Sequence, residues 1–232
     1  MRVDPHLSSI AELAWCREFG LEYDALASRG RITTVDDASP TLRVLTAGDI
    51  TVVAGPERAV AAIDGYPDDE LDDAHLRAAT GGYPARTEIL GLCSDWVDAA
   101  RVRDPLISHD PTDLAEMTRR CPPDDVAESE LQTPGTERLF VLLDDDHRAL
   151  AAAGCREIGT LVADVRALTT PDHRRLGLAA TVATLCTHDA LDAGLIPLWR
   201  ARRDDFAARG LAAVLGYGDW GILTTVRVPP PR

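Results

Sequence analysis

Apolar residues recur at two spacings along this chain, and the spacing separates the predicted helices from the predicted strands. Helical spacing marks residues 6–19, 178–193 and 205–215, and a glycine follows and ends each of these segments. Shorter apolar and β-branched runs predict strands at 41–45, 51–54, 87–92, 138–143, 148–155, 161–169, 195–199 and 222–228. Strands and helices in this order predict a mixed sheet with helices on its faces.

A new start of structure near residue 108 divides the chain into two predicted domains. Asp110 is a favourable N-cap and Pro111 is a favourable first residue of a helix. The preceding sequence predicts a hairpin at 41–54 and short helices at 57–64 and 70–79. We therefore predict an α/β (α+β) fold with a mixed, mostly antiparallel central sheet flanked by helices. The predicted domains are a smaller N-terminal α/β cap at 1–105 and a larger domain at 106–232.

The charged residues are unusual in type as well as in number. All 24 basic residues are arginine, the chain has no lysine and no asparagine, and 38 acidic residues give a net charge of −14. A GC-rich coding genome explains the missing types, and adaptation to high salt is the second explanation. Without lysine there is no Schiff-base site, Walker-A loop or protein-kinase ATP site. The charge opposes nucleic-acid binding and favours a cationic amine partner.

Cysteine spacing and the apolar runs bear on metal content and compartment. The five cysteines are odd in number and widely spaced, and none has zinc-ligand spacing, so we predict buried free thiols and no metal. No apolar run approaches the ~18 residues of a membrane span. The N-terminal residues carry an acid and a proline and do not resemble a signal peptide. These features predict a cytoplasmic protein that does not contact a membrane.

Residues 167–179 carry the most informative chemistry of the sequence. A predicted strand ends at Pro171, a turn with Arg174, Arg175 and Gly177 follows, and a helix begins near Leu178. The first N–H groups of a helix have no intrahelical partner, and together with the helix dipole they form an anion site. The two arginines add charge-assisted hydrogen bonds to such an anion. The segment therefore predicts a cradle for a pyrophosphate that differs from a P-loop.

This segment resembles the acyl-CoA binding motif of the GNAT superfamily of N-acetyltransferases, whose pattern is (Q/R)-x-x-G-x-(G/A). Pro171-x-x-Arg174-Arg175-x-Gly177-x-Ala179 matches that pattern, and Leu215-Gly216-Tyr217 stands where the family has L-G-F. The resemblance covers about residues 109–228. It implies acetyl-CoA, or another acyl-CoA, as co-substrate. The implied CoA-binding residues are Leu168, Thr169, Arg174, Arg175, Leu176, Gly177, Leu178, Ala179 and Asp205.

The resemblance also implies the reaction, which is acyl transfer to an amine of a small molecule or peptide by direct attack in a ternary complex. The acyl-CoA would lie in a V between the strands predicted at 161–169 and 195–199, with the thioester near Leu168 and Thr169. A carboxylate would take the proton of the amine. The candidates are Glu128, Glu130 and Asp164. A solvated helix face remains open for the two glutamates, as does a salt bridge to Arg166 or another arginine for Asp164.

Two positions depart from the family pattern and support an alternative function. Asp205 replaces the usual asparagine, and Ala212 stands where many members have a tyrosine that protonates the leaving thiolate. The alternative is a catalytically weak or inactive acyl-CoA-binding regulatory protein on the same scaffold. The chain would be a monomer or homodimer in either case.

Three weaker signals have competing interpretations. Gly216 to Gly221 matches G-x-G-x-x-G, but it follows a predicted helix and opens a strand, so we interpret it as a helix stop and a turn. Trp199 and Tyr217 are predicted to pack near the cleft, with acceptor contact as the second possibility. The basic run of residues 200–203 would face either solvent or the 3′-phosphate of CoA.

Overall fold

The computed structural model describes residues 3–81 and 84–229 and contains, within them, seven α-helices and ten strands. The helices are α1 (Pro5–Glu18), α2 (Glu57–Ile63), α3 (Asp73–Thr80), α4 (Pro111–Thr118), α5 (Pro123–Ser129), α6 (Leu178–Asp192) and α7 (Phe206–Val214). The strands are β1 (Gly30–Val35), β2 (Thr41–Ala47), β3 (Ile50–Gly55), β4 (Arg86–Leu92), β5 (Leu106–Ser108), β6 (Thr136–Leu143), β7 (Ala149–Ile158), β8 (Val162–Thr169), β9 (Ile196–Arg202) and β10 (Gly218–Arg227). The predicted α/β class is confirmed.

The chain forms two compact units. The first contains residues 1–90, 201–206 and 219–232, and the second contains residues 91–200 and 207–218. The predicted domains at 1–105 and 106–232 stay a prediction.

The first unit orders four strands as β1-β3-β2-β10. The hairpin of β2 and β3 is antiparallel, as the sequence predicted, and β10 pairs antiparallel with β2. Strand β1, which the sequence did not predict, pairs parallel with β3 and consists of exposed and half-buried residues. Helices α2 and α3 bury their apolar residues against this sheet in a core that includes Leu42, Val53, Ile63 and Leu76.

The second unit orders five strands as β9-β8-β7-β6-β5. The pairings from β5 to β8 are antiparallel, and β8 pairs parallel with β9. On one face, α4 packs Leu114 and Met117 against Ala152 and Leu168. On the other face α6 packs against β6, β7 and β8. Because side chains alternate along a strand, Asp164 and Arg166 lie on the same face of β8 as Leu168.

Local capping explains why the helices of this unit begin and end where they do. The side chain of Asp110 accepts a hydrogen bond of 2.8 Å from the N–H of Thr112, and Pro111 is the first residue of α4. Helix α7 ends in a Schellman motif, in which Tyr217 N bonds to Ala212 O and Gly216 has a φ of 85°. The glycine-rich segment after α7 therefore begins with the predicted helix stop, but β10 already starts at Gly218, where a turn was predicted.

Candidate functional site

The turn between β8 and α6 is anchored to the sheet at its first residue. The N–H of Thr170 donates to Leu150 O at 2.9 Å, and the Thr170 hydroxyl contacts both Leu150 O and His173 Nδ1. A single 3₁₀ turn, Pro171–His173, follows. Residues 174–177 then lead into α6, so the predicted strand–turn–helix context of the cradle is confirmed.

The backbone at the start of α6 has the conformation that an anion site requires. Gly177 is the N-cap with a φ of 79°, and its carbonyl accepts the first helical bond, from Thr181 N at 3.2 Å. The N–H groups of Leu178, Ala179 and Ala180 precede that bond and have no intrahelical acceptor. Arg175 has a φ of 63°, a conformation that is uncommon for a residue with a side chain and is concentrated at functional sites.

The two arginines of the turn differ in their partners. Arg174 forms an ion pair with Asp125 at 2.5 Å and donates weakly to Thr169 O at 3.4 Å. The Arg175 side chain is exposed, and among residues 3–81 and 84–229 it forms no hydrogen bond or ion pair. Arg175 is therefore the arginine of the motif that is available to an anionic ligand.

Sequence reasoning missed a third arginine at this turn. The N–H groups of Arg101 and Val102 both donate to the Thr181 hydroxyl, at 3.0 and 3.2 Å, which ties the loop before β5 to the first turn of α6. A Cβ added to Gly177 would lie 2.6 Å from Cγ of Arg101. Arg101, an exposed residue, therefore packs the aliphatic part of its side chain against Gly177. No motif marks this residue, because the contact joins positions 76 apart in the sequence.

Strands β8 and β9 are paired along only part of their length. The parallel ladder runs from Val162–Ile196 to Val165–Trp199 and then ends, although β8 continues to Thr169. Backbone groups of β8 beyond Val165 therefore have no ladder partner in β9. The ladder thus ends within the pair of strands between which the resemblance implies an opening, and that opening stays a prediction.

A network of four charged side chains lies at the end of that ladder. Arg200 contacts Asp164 through Nε at 3.0 Å and through a terminal nitrogen at 2.6 Å, and the terminal nitrogen also donates to Glu130 at 2.7 Å. Arg166 donates to Glu130 at 3.1 Å and lies 3.2 Å from Asp164. The two arginines and two carboxylates cancel in charge.

Burial separates the two carboxylates of the network. The side chain of Asp164 is 2% exposed, whereas that of Glu130 is 33% exposed. Burial acts to raise the pKa of Asp164, but Arg166 and Arg200 outweigh it, so the pKa lies below its ordinary value. Asp164 is thus an ionised partner of two arginines, the ion-pair alternative left open by the sequence. Glu130 is the carboxylate of the network that solvent can reach.

A small open pocket adjoins the network. Its empty volume, including solvent at its mouth, is about 250 Å³, and Glu130, Thr133, Arg156, Asp164 and Arg166 line it. Glu128 lies on α5, two residues before Glu130. A role of any of these carboxylates in catalysis stays a prediction.

The aromatic residues near the ladder are part of the core. Trp199 and Tyr217 are 5% and 6% exposed, and their rings lie 5.8 Å apart. The Tyr217 hydroxyl shares a 2.8 Å hydrogen bond with Thr187, and burial raises its pKa well above the ordinary value. Packing, rather than contact with an acceptor, is therefore the role of both rings.

The predicted basic run of residues 200–203 is partly used in ion pairs. Arg200 lies in the ion-pair network, and Arg202 pairs with Asp204.

Other predicted features lie outside this cluster. Asp205 belongs to the first unit, directly before α7, and its contact with CoA stays a prediction. The five cysteines are free and buried, as predicted. Within the described residues, no three His, Cys, Asp or Glu side chains are placed to hold a metal ion. None of the helices described is both long and apolar enough to cross a membrane.

Comparison with solved structures identifies the fold. A structure assigned to the GNAT family of acetyltransferases, from Novosphingobium aromaticivorans, is 21% identical, with a TM-score of 0.53 over 62% of this chain and 65% of that one. A conserved protein of unknown function from Staphylococcus epidermidis is 13% identical, with a TM-score of 0.50 over 68% of each chain. A GNAT-family acetyltransferase from Colwellia psychrerythraea is 18% identical, with a TM-score of 0.49 over 70% of this chain and 63% of that one.

In comparisons of sequence alone, no protein-family model and no curated protein matches the chain. The chain spans less than two thirds of the Novosphingobium and Colwellia structures. The likeness shows the fold, and the chain has the fold of the GNAT acetyltransferases.

Proposed function

We propose that this chain, built on the GNAT fold, is an acyl-CoA-dependent N-acyltransferase that uses acetyl-CoA and a small-molecule or peptide amine. The proposal is carried by the order of two features along the chain, in which the end of the β8–β9 ladder is followed by the N-terminus of α6. The β8–β9 ladder stops at Val165, and β8 then leads through a short turn to the N-terminus of α6, beside which Arg175 is exposed. Backbone N–H groups and the helix dipole suit a diphosphate at that point.

The residues of the cradle fit the charged part of acyl-CoA. The amides of Leu178, Ala179 and Ala180 would bind the diphosphate, and Arg175 and Arg101 would neutralise it. Backbone groups of Leu168 and Thr169 would hold the pantetheine arm and polarise the thioester carbonyl. Leu176, exposed on the same turn, would border the ligand. Bound acetyl-CoA supplies a thioester that an amine nitrogen can attack, with the CoA thiol as leaving group.

Glu130 is the proposed acceptor of the amine proton. It is the partly exposed carboxylate of the network and lines the pocket beside β8. Arg166 and Arg200 fix its position, so that the carboxylate need not be ordered when substrate arrives. Asp164 keeps both arginines paired and takes no proton itself. An acidic surface favours a cationic acceptor, and the protein would act in the cytoplasm as a monomer or homodimer.

One observation favours the alternative of an acyl-CoA-binding regulatory protein. Ala212 offers no proton to a leaving thiolate, and the nearby Tyr217 hydroxyl is buried and bonded to Thr187. Calorimetric titration with acetyl-CoA and a thiol-release assay over a panel of amines separate the two functions. Tight binding with turnover supports the enzyme, and tight binding without turnover for any amine supports the regulator. Absence of binding at millimolar acetyl-CoA contradicts both.

Gly177→Asp tests the cradle. We expect it to abolish acetyl-CoA binding while the protein stays folded, because the new side chain adds a negative charge at the diphosphate site and displaces Arg101. Gly194→Asp is the matched control. Gly194 has a φ of 76°, so it shares the backbone strain, but a Cβ there has no neighbour within 4 Å. Equal acetyl-CoA affinity in the two variants would contradict the assignment.

A further inference from the structure

The position at which the β8–β9 ladder ends coincides with a pair of like charges. The ladder register places Val165 opposite Trp199, so the next opposed positions are Arg166 and Arg200. Opposed residues of a parallel pair project from the same face of the sheet. Two directly opposed arginines do not favour continued pairing, since like charges across strands repel wherever they are not neutralised. The residues that precede them, from Val162 to Val165, are paired in regular register.

The side chain of Arg166 also contacts the backbone of β9. One terminal nitrogen of Arg166 donates to the backbone carbonyl of Arg200 at 3.4 Å. A side chain of β8 therefore contacts the β9 backbone at the first residue beyond the ladder. The contact is long for a hydrogen bond, so it adds little to the pairing of the two strands.

The two carboxylates make this arrangement tolerable in a buried position. The side chains of Arg166 and Arg200 are only 9% and 10% exposed. Two unpaired guanidinium groups at such burial would be strongly unfavourable. Asp164 contacts both arginines, and Glu130 accepts from both. The charges of the network thus sum to zero, and its four side chains hold one another in place at the end of the ladder.

We propose that Arg166 is a positioning residue that, opposed to Arg200, ends the β8–β9 ladder at Val165 and holds the strands apart for the acyl-CoA thioester. The consequence of this role of Arg166 for catalysis rests on the proposed function. The structural part of the proposal, that Arg166 ends the ladder, is independent of any ligand. Arg166 acts through the strand backbone and through Glu130, and it need not touch the substrate.

Hydrogen exchange of Arg166→Met, measured without ligand, tests the structural part. Methionine keeps the length of the side chain and removes its charge. We expect the ladder to extend by a residue or more, so amides in 166–169 should exchange about tenfold more slowly than in the wild type. A merely structural role predicts the opposite, since loss of a buried ion pair weakens the fold and speeds exchange. Unchanged or faster exchange in this segment overturns the proposal.

Two further variants complete the experiment. Arg148→Met removes an exposed arginine beside β7 and should leave exchange at 166–169 unchanged. Should Arg166→Met not fold, Arg166→Gln, which removes the charge but keeps a donor, is measured in the same way with the same expected direction. Arg166→Lys keeps the charge opposite Arg200 and should restore wild-type exchange in 166–169. Failure of the lysine variant to do so overturns the proposal.

Acetyl-CoA affinity then separates the two proposals. If wild-type protein binds acetyl-CoA, Arg166→Met should raise its Kd and KM about tenfold with a smaller change in kcat, because the opening is narrowed. If Kd and KM stay unchanged while exchange slows, Arg166 ends the β8–β9 ladder but does not make room for acetyl-CoA. If the wild type binds no acetyl-CoA, the proposed function fails, and the exchange result alone decides the role of Arg166.

Discussion

The α6 turn and the four-residue network lie a few residues apart along β8, yet they use arginine in opposite ways. In the turn, the guanidinium groups of Arg101 and Arg175 are exposed and, within the described residues, without a hydrogen bond. In the network, Arg166 and Arg200 are buried, and each contacts both carboxylates. An exposed cation beside a helix N-terminus remains available to a ligand. A neutralised cluster instead fixes the strands and Glu130.

The largest expected effect tests whether the network also contributes to chemistry. Glu130→Gln should lower kcat about 10²–10⁴-fold, the usual contribution of a general base, while acetyl-CoA affinity stays within about threefold. Glu128→Gln, on the preceding helix, is the matched control. Steady-state thiol release measures both. A similar loss in both variants, or in neither, would remove Glu130 from the mechanism.

Asp164→Asn tests the structural half of the comparison. It should lower the free energy of unfolding by about 3–5 kcal/mol, because it removes one partner of a buried ion-pair cluster. Asp172→Asn makes the same change at an exposed position of the α6 turn and should cost less than about 0.5 kcal/mol. Denaturation in urea measures both values. Equal losses of unfolding free energy in the two variants would mean that Asp164 contributes no more to stability than Asp172 does.

Acid should abolish the difference between wild type and Asp164→Asn. The pKa of Asp164 is lower in the folded protein than its ordinary value of 3.8, so the unfolded chain takes up the proton first. The stabilisation is therefore complete above pH 3.8 and is lost as pH falls through the folded pKa. Urea denaturation at a series of pH values should show a constant difference from pH 7 to about 5.

The smallest effect concerns the turn alone. Arg175→Met should weaken acetyl-CoA binding about fivefold, or about 1 kcal/mol, because the arginine is solvent-exposed and its phosphate contact is screened. The loss should diminish as salt rises. Arg119→Met, an exposed arginine after α4, is the control and should not change affinity. Titration at two salt concentrations measures both, and a loss that salt leaves unchanged would argue against a charge contact.

The contrast also explains what the sequence could predict. The turn is contiguous, from Thr169 to Ala179, so its spacing could be recognised along the chain. Arg174 nevertheless pairs with Asp125, and Arg101 reaches Gly177 from a distant loop. Local spacing does not encode such partners. The network joins Glu130 to Arg200 across 70 positions, and it depends on a strand register that the sequence does not display.

Strands were predictable in proportion to their burial. The fully buried β3 was recognised from its apolar run, whereas β1 has no fully buried residue and was missed. The three-residue β5 is too short for a periodic signal. The alternation of apolar and polar residues that identifies a strand arises when one face is buried. An edge strand whose two faces are both partly exposed to solvent lacks this alternation.

Both cations of the network are arginines, and this has a chemical consequence. An amine in that position would be a nucleophile beside the thioester of the proposed acyl-CoA, and a buried lysine is readily deprotonated to the free amine. A guanidinium group stays protonated at any physiological pH and does not attack acyl groups. The charged groups that we propose hold the strands apart could therefore border the proposed acylation site without being acylated themselves. A protein with no lysine has no side-chain amine anywhere to compete with the proposed acceptor.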